Sequence, residues 1–186
     1  MKLSTFLTAA IAALAIAGRA EGQGQDQFAF GISAGAAIPV GLSADNHKTG
    51  PIGTVMMGIG GVDSPFGVRF DGSYIALGSK TGTGTLGLGK AKVTNVSVNA
   101  LFNIWGDNDR LYFIGGVGGF NYNPDGSGTK ATNDLSINAG AGLWFPAVNG
   151  FIEARWYNFY RALPDGAGLS GKRSLRLYPI SIGLMF

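Results

Sequence analysis

The sequence predicts an all-β protein, an eight-stranded antiparallel up-and-down β-barrel. Two observations carry this prediction: apolar and polar residues alternate with a period of two in eight segments, and the connections between the segments alternate in length. No stretch after residue 20 shows the apolar periodicity of a helix. The eight segments are residues 27–40, 52–62, 67–78, 91–105, 111–122, 133–145, 151–160 and 173–186.

The connections differ between the two ends of the predicted barrel. Long polar loops follow the first, third, fifth and seventh segments, as in GLSADNHKTGP at 41–51 and RALPDGAGLSGK at 161–172. Short turns follow the second, fourth and sixth segments, with the sequences DSPF, GDNDR and PAVNG. Long loops at one end and short turns at the other are typical of barrels that span a membrane. With both termini at the turn end, the number of strands must be even.

One face of the segments is apolar, and the other is rich in Gly, Ser and Asn. The apolar positions are Val68, Phe70, Tyr74, Val96, Val98, Ala100, Phe102, Ile104, Leu135, Ile137, Ala139, Ala141, Leu143, Phe145, Ile152, Ala154 and Trp156. Small polar residues suit a narrow lumen, so we expect the apolar face to point outward into lipid. Segments 52–62 and 111–122 contain too much glycine to assign. A soluble, lipocalin-like barrel with the faces inverted is the alternative.

Aromatic residues near the ends of the segments predict two interfacial girdles. The turn-side girdle is Phe28, Phe30, Phe70, Phe102, Phe145 and Phe151, and the loop-side girdle is Tyr74, Tyr122, Tyr157 and Tyr160. The overall composition agrees with this picture. Charged residues make up 13% of the chain, against about 25% in soluble domains, and 32 of the 186 residues are glycine.

Residues 1–20 indicate a secretory signal peptide, which leaves a single barrel domain at 21–186. Lys2 precedes an apolar run, and Gly18 and Ala20 place small residues before the expected cleavage site. The run is shorter than the roughly 20 residues that a membrane-spanning helix needs. Without Lys2 and Arg19 the net charge falls from +3 to about +1, which gives a nucleic-acid partner little support. The chain has no cysteine, so a disulfide-stapled domain is excluded.

The C-terminal segment keeps its alternation to the last residue. Its apolar positions are Tyr178, Ile180, Ile182, Leu184 and Phe186. In this feature and in its strand pattern the mature chain resembles the eight-stranded outer-membrane β-barrel family of OmpA/OmpX type. The resemblance implies a cell outer-membrane location in a Gram-negative-type envelope, and a C-terminal signal that the barrel-assembly machinery reads. Pro179 departs from the family pattern and is expected at a bulge or an unpaired position, and Arg176 is expected outward near the outer rim.

Four charged residues form the strongest candidate site. Arg69 and Asp71 lie on the third segment, and Glu153 and Arg155 lie on the seventh, each pair a few residues beyond a short turn. We expect these side chains to point inward at similar depth and to form one lumen cluster. Such a cluster would plug the lumen and neutralise its own charge, because an eight-stranded barrel is just wide enough to be filled by side chains. A switchable gate or a proton path is the alternative.

Three other motifs give weaker signals. His47 is the only histidine and lies in the first long loop, where we expect no serine beside it, so a Ser-His-Asp hydrolase is disfavoured. Residues 84–91, GTLGLGKA, nearly match a phosphate loop, but they enter a strand where a true phosphate loop opens a helix. The GGVGG run at 115–119 is expected to relieve crowding or bend a strand. No cofactor or metal site is predicted.

The long loops carry cations with few acids between them. These are Lys48, Lys80, Lys90, Lys130, Arg161 and Lys172. At the outer end of a barrel they would face the anionic lipopolysaccharide leaflet and could contact lipid phosphate, whereas simple solvation is the alternative.

Three functions are therefore open. The favoured one is a monomeric structural or surface-interaction barrel that presents four long loops and conducts little or nothing. A narrow pore for small solutes is the second. A lipid-modifying enzyme is the third, disfavoured because no His-Ser arrangement is visible in the sequence.

Overall fold

The computed structural model describes residues 28–59, 65–81, 86–104, 110–126, 130–163 and 173–186. The barrel strands are β1 Phe28–Pro39, β2 Gly50–Ile59, β3 Phe66–Ser79, β4 Ala91–Ile104, β5 Arg110–Pro124, β6 Thr132–Phe145, β7 Gly150–Leu163 and β8 Arg173–Met185. Each predicted segment is a strand, and within the described residues the ends differ by at most three residues. The signal-peptide prediction at 1–20 falls outside the described residues.

The strands close into an all-antiparallel barrel. Each strand pairs with its neighbours in the chain, and β1 pairs with β8 from Gly31↔Met185 to Pro39↔Leu177. Closure leaves no free edge, so the backbone groups of every strand have a partner strand on both sides. The predicted eight-stranded up-and-down barrel is therefore confirmed.

The apolar face points outward, as predicted. Val96 and Leu135 are 64% and 68% exposed, while Asn95 and Ser97 on the opposite face are buried. The glycine-rich strands follow the same rule, with Val55 of β2 outward and 59% exposed. A water-soluble barrel would hide these side chains, because large exposed apolar surfaces drive association. No helix among the described residues is long and apolar enough to cross a membrane.

Three residues of the predicted girdles face inward instead. Phe151, Tyr157 and Tyr122 are almost fully buried inside the barrel. Phe151 and Tyr157 share the inward parity of Glu153 on β7, so alternation alone places them in the lumen. Tyr122 lies on β5, where the many glycines prevented an assignment of inward and outward positions from the sequence. The girdle residues that are exposed are Phe28, Phe30, Phe70, Phe102, Tyr74 and Tyr160, and Phe145 is half-buried.

The first long loop is folded, which the sequence did not predict. Helix α1, Leu42–Asn46, follows β1, and His47 and Lys48 then pair with Ser79 and Gly78 as an extension along β3. The helix is held at both ends. The hydroxyl of Ser43 accepts a hydrogen bond from the Arg176 backbone N–H at 2.8 Å, and the side-chain oxygen of Asn46 accepts one from the Leu86 N–H at 2.6 Å.

Pro179 lies at a local break in the β7–β8 ladder. Pairing between these strands runs from Gly150↔Leu184 to Ala154↔Ile180 and resumes at Tyr157↔Leu177 in the same register. The skipped positions include the one opposite Pro179, which lacks an N–H to donate. The position is therefore unpaired on the β7 side, as expected, whereas on the other side Pro179 pairs with Ala37 of β1. Arg176 points outward and is exposed, also as expected.

Candidate functional site

The four charged residues predicted for the lumen meet at its centre. Arg69 donates from Nε to the Asp71 carboxylate at 2.9 Å, and from Nη2 across the barrel to Glu153 Oε2 at 2.8 Å. Arg155 donates from Nε to Glu153 Oε1, and from Nη2 across the barrel to Asp71 Oδ2 at 2.7 Å. Cations and anions therefore alternate around a closed ring, which we call the charge ring, and its formal charge is zero.

Polar side chains complete the hydrogen bonding of the charge ring. Tyr112 on β5 donates its hydroxyl proton to Glu153 Oε2 at 2.8 Å. Asn99 on β4 donates to Asp71 Oδ2 at 3.1 Å, and Asn138 on β6 donates to Asn99 Oδ1 at 2.8 Å. All are buried. Buried ions need partners for their remaining lone pairs and protons, and these residues supply them.

Glycines on the inner wall give the charge ring its space. A β-carbon at Gly142 would collide with the phenol ring of Tyr112, and one at Gly140 would press on the backbone and side chain of Arg155. A β-carbon at Gly116 would strike the Asn99 amide. In the run at 115–119, Gly116 and Gly118 are thus sites of close approach, as expected, whereas Gly115 has room for a β-carbon and Gly119 has open space around it.

Aromatic rings cover the charge ring on both sides. The guanidinium of Arg69 lies over Phe151, 5.8 Å from the ring centroid, on the turn side. The guanidinium of Arg155 lies over Tyr157 at 5.9 Å, on the loop side, and donates to the tyrosine hydroxyl at 3.0 Å. Cation–π contact strengthens when the cation is removed from water, as both guanidiniums are. Phe151 and Tyr157 therefore line the lumen, although the sequence predicts both for the interfacial girdles.

The lumen beyond these rings is apolar at both ends. Toward the turns it is filled by Met56, Tyr112, Ile114, Trp144 and Phe151, with Leu101 and Met185 packed against them. Toward the loops it is filled by Ala37, Ile52, Ile75, Leu77, Leu88, Ala91, Val93, Phe120, Tyr122, Tyr157, Phe159, Ala162, Leu163, Leu175 and Leu177. The sequence indicated a polar lumen throughout, and that expectation was wrong for both ends.

One small cavity adjoins the charge ring. Its volume is about 10 Å³, roughly that of one water molecule, and its lining includes Glu153, Arg155, Thr54, Pro179 and Ser181. It lies beside the ladder break at Pro179. The cavity is polar enough to hold a water and too small for an organic ligand.

His47 lies inside the mouth of the barrel rather than in a solvated loop. It is buried, and its Nε2 lies 2.9 Å from the hydroxyl of Tyr122. Burial lowers the pKa of His47 from its ordinary value, opposed by the backbone carbonyls of Gly78 and Gly89 and by the negative charge of Asp125. A neutral imidazole is the favoured state of this site.

The expectation that no serine lies near His47 was wrong. The pairing along β3 places Ser79 directly opposite His47. Ser79 directs its hydroxyl toward the Lys80 carbonyl, however, and the Nε2 of His47 is engaged by Tyr122. The pair therefore does not form the serine–histidine hydrogen bond that a hydrolase needs. Among the described residues no group of His, Cys, Asp and Glu could hold a metal ion.

The stretch at 84–91 belongs to the cover of the mouth, as far as the structure describes it. Leu86 and Leu88 pack against the apolar loop-side core, and Gly87 and Gly89 adopt positive φ of 63° and 71°. Strand β4 begins at Ala91, the last residue of the stretch, so no helix follows to bind a phosphate.

The predicted loop cations do not form one group. Lys48, Lys80 and Lys90 lie around the loop ends of β2, β3 and β4, and they are exposed. Lys130 lies on the β5–β6 connection, and Arg161 on β7 donates to Asp134 at 2.7 Å. Lys172 falls outside the described residues.

The C-terminal residue joins the barrel wall. Phe186 donates its N–H to the carbonyl of Phe30 at 2.6 Å, and its own carbonyl accepts from the Phe30 N–H at 3.0 Å. The side chains of Tyr178, Ile180, Ile182, Leu184 and Phe186 are 43–64% exposed on the outer surface.

Comparison with solved structures agrees with this architecture. The crystal structure of Neisserial surface protein A (NspA) matches with a TM-score of 0.60 at 13% identity, over 88% of this chain and 98% of that one. The chain has the fold of the eight-stranded outer-membrane β-barrels. The N-terminal β-barrel domain of Pseudomonas aeruginosa OprF matches with a TM-score of 0.50 at 17% identity, over 88% of this chain and 100% of that one. The outer-membrane enzyme PagL matches with a TM-score of 0.51 at 14% identity, over 84% of this chain and 98% of that one.

Sequence comparison adds nothing to the fold. No protein-family model and no curated protein sequence matches this chain.

Proposed function

We propose that this protein is an integral outer-membrane barrel with a structural or surface-interaction role, which presents its long loops outside the cell and conducts no solute. The outward apolar surface is the observation that carries the location. Side chains such as Val55, Val96 and Ile182 are 59–64% exposed in the middle of the wall. Lipid is the solvent that makes such a surface favourable.

The filled lumen supports the absence of conduction. The charge ring spans the barrel from β3 to β7, and an apolar core lies on each side of it. An ion that entered would have to leave water for an apolar layer, and it would then meet arginines and carboxylates that already satisfy each other. The folded first loop and the connection between β3 and β4 cover the mouth, because Leu42 of the first and Leu86 of the second pack onto the loop-side core.

Catalysis is not part of the proposed role, although PagL shows that this fold can carry an enzyme. The support is the engagement of His47 by Tyr122 inside the mouth, 2.9 Å away and out of reach of lipid. Mass spectrometry of lipid A from cells with and without the protein tests this. Identical lipid A species are expected, and the loss or gain of an acyl chain in cells with the protein would overturn the proposal that it is not an enzyme.

Two measurements on one preparation test the location and the closed lumen. Outer-membrane fractions are run in mild SDS before and after boiling, and the purified protein is added to planar bilayers. We expect a heat-dependent shift in migration and no stepwise conductance. A protein in the soluble fraction without a shift would overturn the membrane location. A shift combined with regular conductance steps would overturn the closed lumen and favour the narrow pore.

A further inference from the structure

The structure gathers three lysines at the loop end of the outer wall. Lys48 pairs with Gly78 on the extension along β3. On the other side of β3, Ala91 pairs with Leu77 and Lys92 pairs with Ala76, which places Lys90 next to Gly78 in the same register. Lys92 was not among the cations singled out in the sequence. The lysines Lys48, Lys90 and Lys92 are exposed, and we call them the lysine clamp.

Strand β3 lies between Lys48 on one side and Lys90 and Lys92 on the other, and its outer surface there is a shallow depression, which we call the floor of the clamp. Its outward positions there are Ala76 and Gly78, which are too small to fill the space. A β-carbon at Gly78 would lie 3.1 Å from the Cβ of Lys48 and 3.9 Å from its Cγ and Cδ, so the stem of Lys48 lies across this glycine. Neighbouring strands are about 4.8 Å apart, so the backbones of Lys48 and Lys90 are roughly 10 Å apart. Two lysine side chains of ordinary length can converge on one group across that span.

The clamp stands at the border between polar and apolar surface. Tyr74, 47% exposed, lies two residues below Ala76 on the same face, and the exposed Val96 lies further toward the turns. Tyrosine is enriched where a barrel wall passes from hydrocarbon to headgroups. The clamp is therefore at headgroup height on the loop side.

The charge of this sector is positive. Lys80 lies next to the clamp, and its N–H donates to the Asn46 carbonyl at 3.1 Å. Within the part of the chain that the structure describes, none of these lysines has an ion pair. Two carboxylates lie near these four lysines. Asp45 on α1 is exposed, and Asp125 donates its backbone N–H to the Lys90 carbonyl at 2.8 Å, with its carboxylate against Gly89.

From this geometry we propose that the lysine clamp is a binding site for a phosphorylated lipid headgroup of the outer leaflet. Ammonium groups bind phosphate as flexible point charges, and each basic group near a lipid surface contributes about a fivefold gain in binding. The apolar wall below the clamp would take the acyl chains while the lysines hold the phosphate. This inference rests on the proposed membrane location.

Native mass spectrometry of the folded protein in dodecylmaltoside, titrated with bisphosphorylated lipid A, tests the clamp. The variant with Lys48→Gln, Lys90→Gln and Lys92→Gln is expected to bind about tenfold more weakly or worse. Lys130→Gln, which removes an exposed loop lysine outside the clamp, should bind within about twofold of the original protein. Gly78→Asp keeps every lysine and sets a carboxylate on the floor, so it should weaken binding as well.

Two results would overturn the proposal. One is unchanged lipid A binding by the triple variant and by Gly78→Asp. The other is displacement of lipid A by millimolar sodium phosphate, which would make the clamp a site for free anions. The boiled-versus-unboiled gel on each variant separates this failure from that of the proposed function. Variants that show the heat-dependent shift in migration and bind lipid A as the original protein does would reject the lysine clamp alone. Absence of that shift in the original protein would reject the membrane barrel itself.

Discussion

Arg155 on β7 donates a hydrogen bond to Asp71 on β3, on the opposite wall of the barrel, with 2.7 Å between Nη2 and Oδ2. The Arg69–Glu153 bond crosses the lumen in the other direction at 2.8 Å. In a closed antiparallel barrel these two strands never touch through their backbones. The charge ring therefore ties together walls that are otherwise connected only around the circumference.

Removal of one member of the charge ring should destabilise the barrel strongly. Arg155→Met leaves Asp71 and Glu153 to share Arg69, and an uncompensated buried charge costs about 3–5 kcal/mol. We expect the free energy of unfolding in lipid vesicles, measured by tryptophan fluorescence in urea, to fall by this amount. Arg176→Met, which removes an outward cation from β8, should change it by less than about 1 kcal/mol.

The paired variant sharpens this test. Asp71→Asn combined with Arg155→Met restores the charge balance, so it should lose less than the sum of the two single variants, with a coupling of about 1–3 kcal/mol. Additive losses would mean that the ring does not act as a unit. Conductance steps from Arg155→Met in planar bilayers would instead favour a gate.

Much of this arrangement could be predicted from residue order alone. A two-residue period places Arg69, Asp71, Glu153 and Arg155 on the inner face, and counting from the short turns places both pairs at the same depth. Nothing else is needed to bring opposite charges together across a lumen that side chains fill.

The apolar ends of the lumen could not be predicted in this way. Near the loops β8 reverses the pattern, since the apolar Leu175 and Leu177 face inward and alternate with Arg176 and Tyr178, which face outward. Alternation identifies the inner face only where the inward positions are the polar ones. In β5 the glycines remove the difference in polarity between inward and outward positions, so nothing in the sequence indicated that Tyr122 points inward.

The folded first loop was hidden for another reason. Helix α1 spans only Leu42–Asn46, and its N-cap residue, Gly41, offers no side-chain hydrogen bond. Five residues cannot show a helical period, and no capping sequence marks the start. The loop folds because Ser43, Asn46 and His47 find partners in distant parts of the chain, namely Arg176, Leu86 and Tyr122, and these are tertiary contacts.

Added bulk at the inner wall should disturb the charge ring without a change of charge. Gly142→Ala forces a β-carbon onto the phenol of Tyr112, which donates to Glu153. Overpacking of this kind costs about 1–3 kcal/mol, and we expect the urea midpoint to fall accordingly. Gly119→Ala on β5 has open space around the new methyl group and should keep the original midpoint. Equal effects of the two variants would contradict close packing at Gly142.

Acid should loosen the first loop through His47. The folded protein lowers the pKa of this buried imidazole, so folding favours the neutral form. Stability of the loop is then fully present above the ordinary histidine pKa of about 6.5 and declines as the pH falls below it. Hydrogen exchange of residues 42–48 at pH 7.5 and pH 5 should show faster exchange at the lower pH, after correction for the intrinsic rate.

A histidine-free variant controls for other acid effects. His47→Gln can still accept a hydrogen bond from Tyr122 but does not titrate, so its corrected exchange at residues 42–48 should be the same at both pH values. If the original protein and the variant respond equally to acid, another group carries the pH dependence and His47 does not.

The terminal phenylalanine should matter for assembly more than for stability. Phe186 is 53% exposed, and its structural bonds to Phe30 are made by the backbone alone. Phe186→Ala keeps those bonds, so the variant refolded in detergent should retain its free energy of unfolding within about 1 kcal/mol. In cells, much less of the variant should reach the outer membrane as folded barrel that shows the heat-dependent shift, because the resemblance to the OmpA/OmpX-type family implies that the assembly machinery reads this residue. Phe102→Ala, which removes an outward phenylalanine of similar exposure at the turn end of β4, is the matched control and should assemble normally. Equal assembly of the two variants in cells would show that the side chain of Phe186 carries no signal. A loss of stability of Phe186→Ala in detergent would assign this side chain a structural role instead.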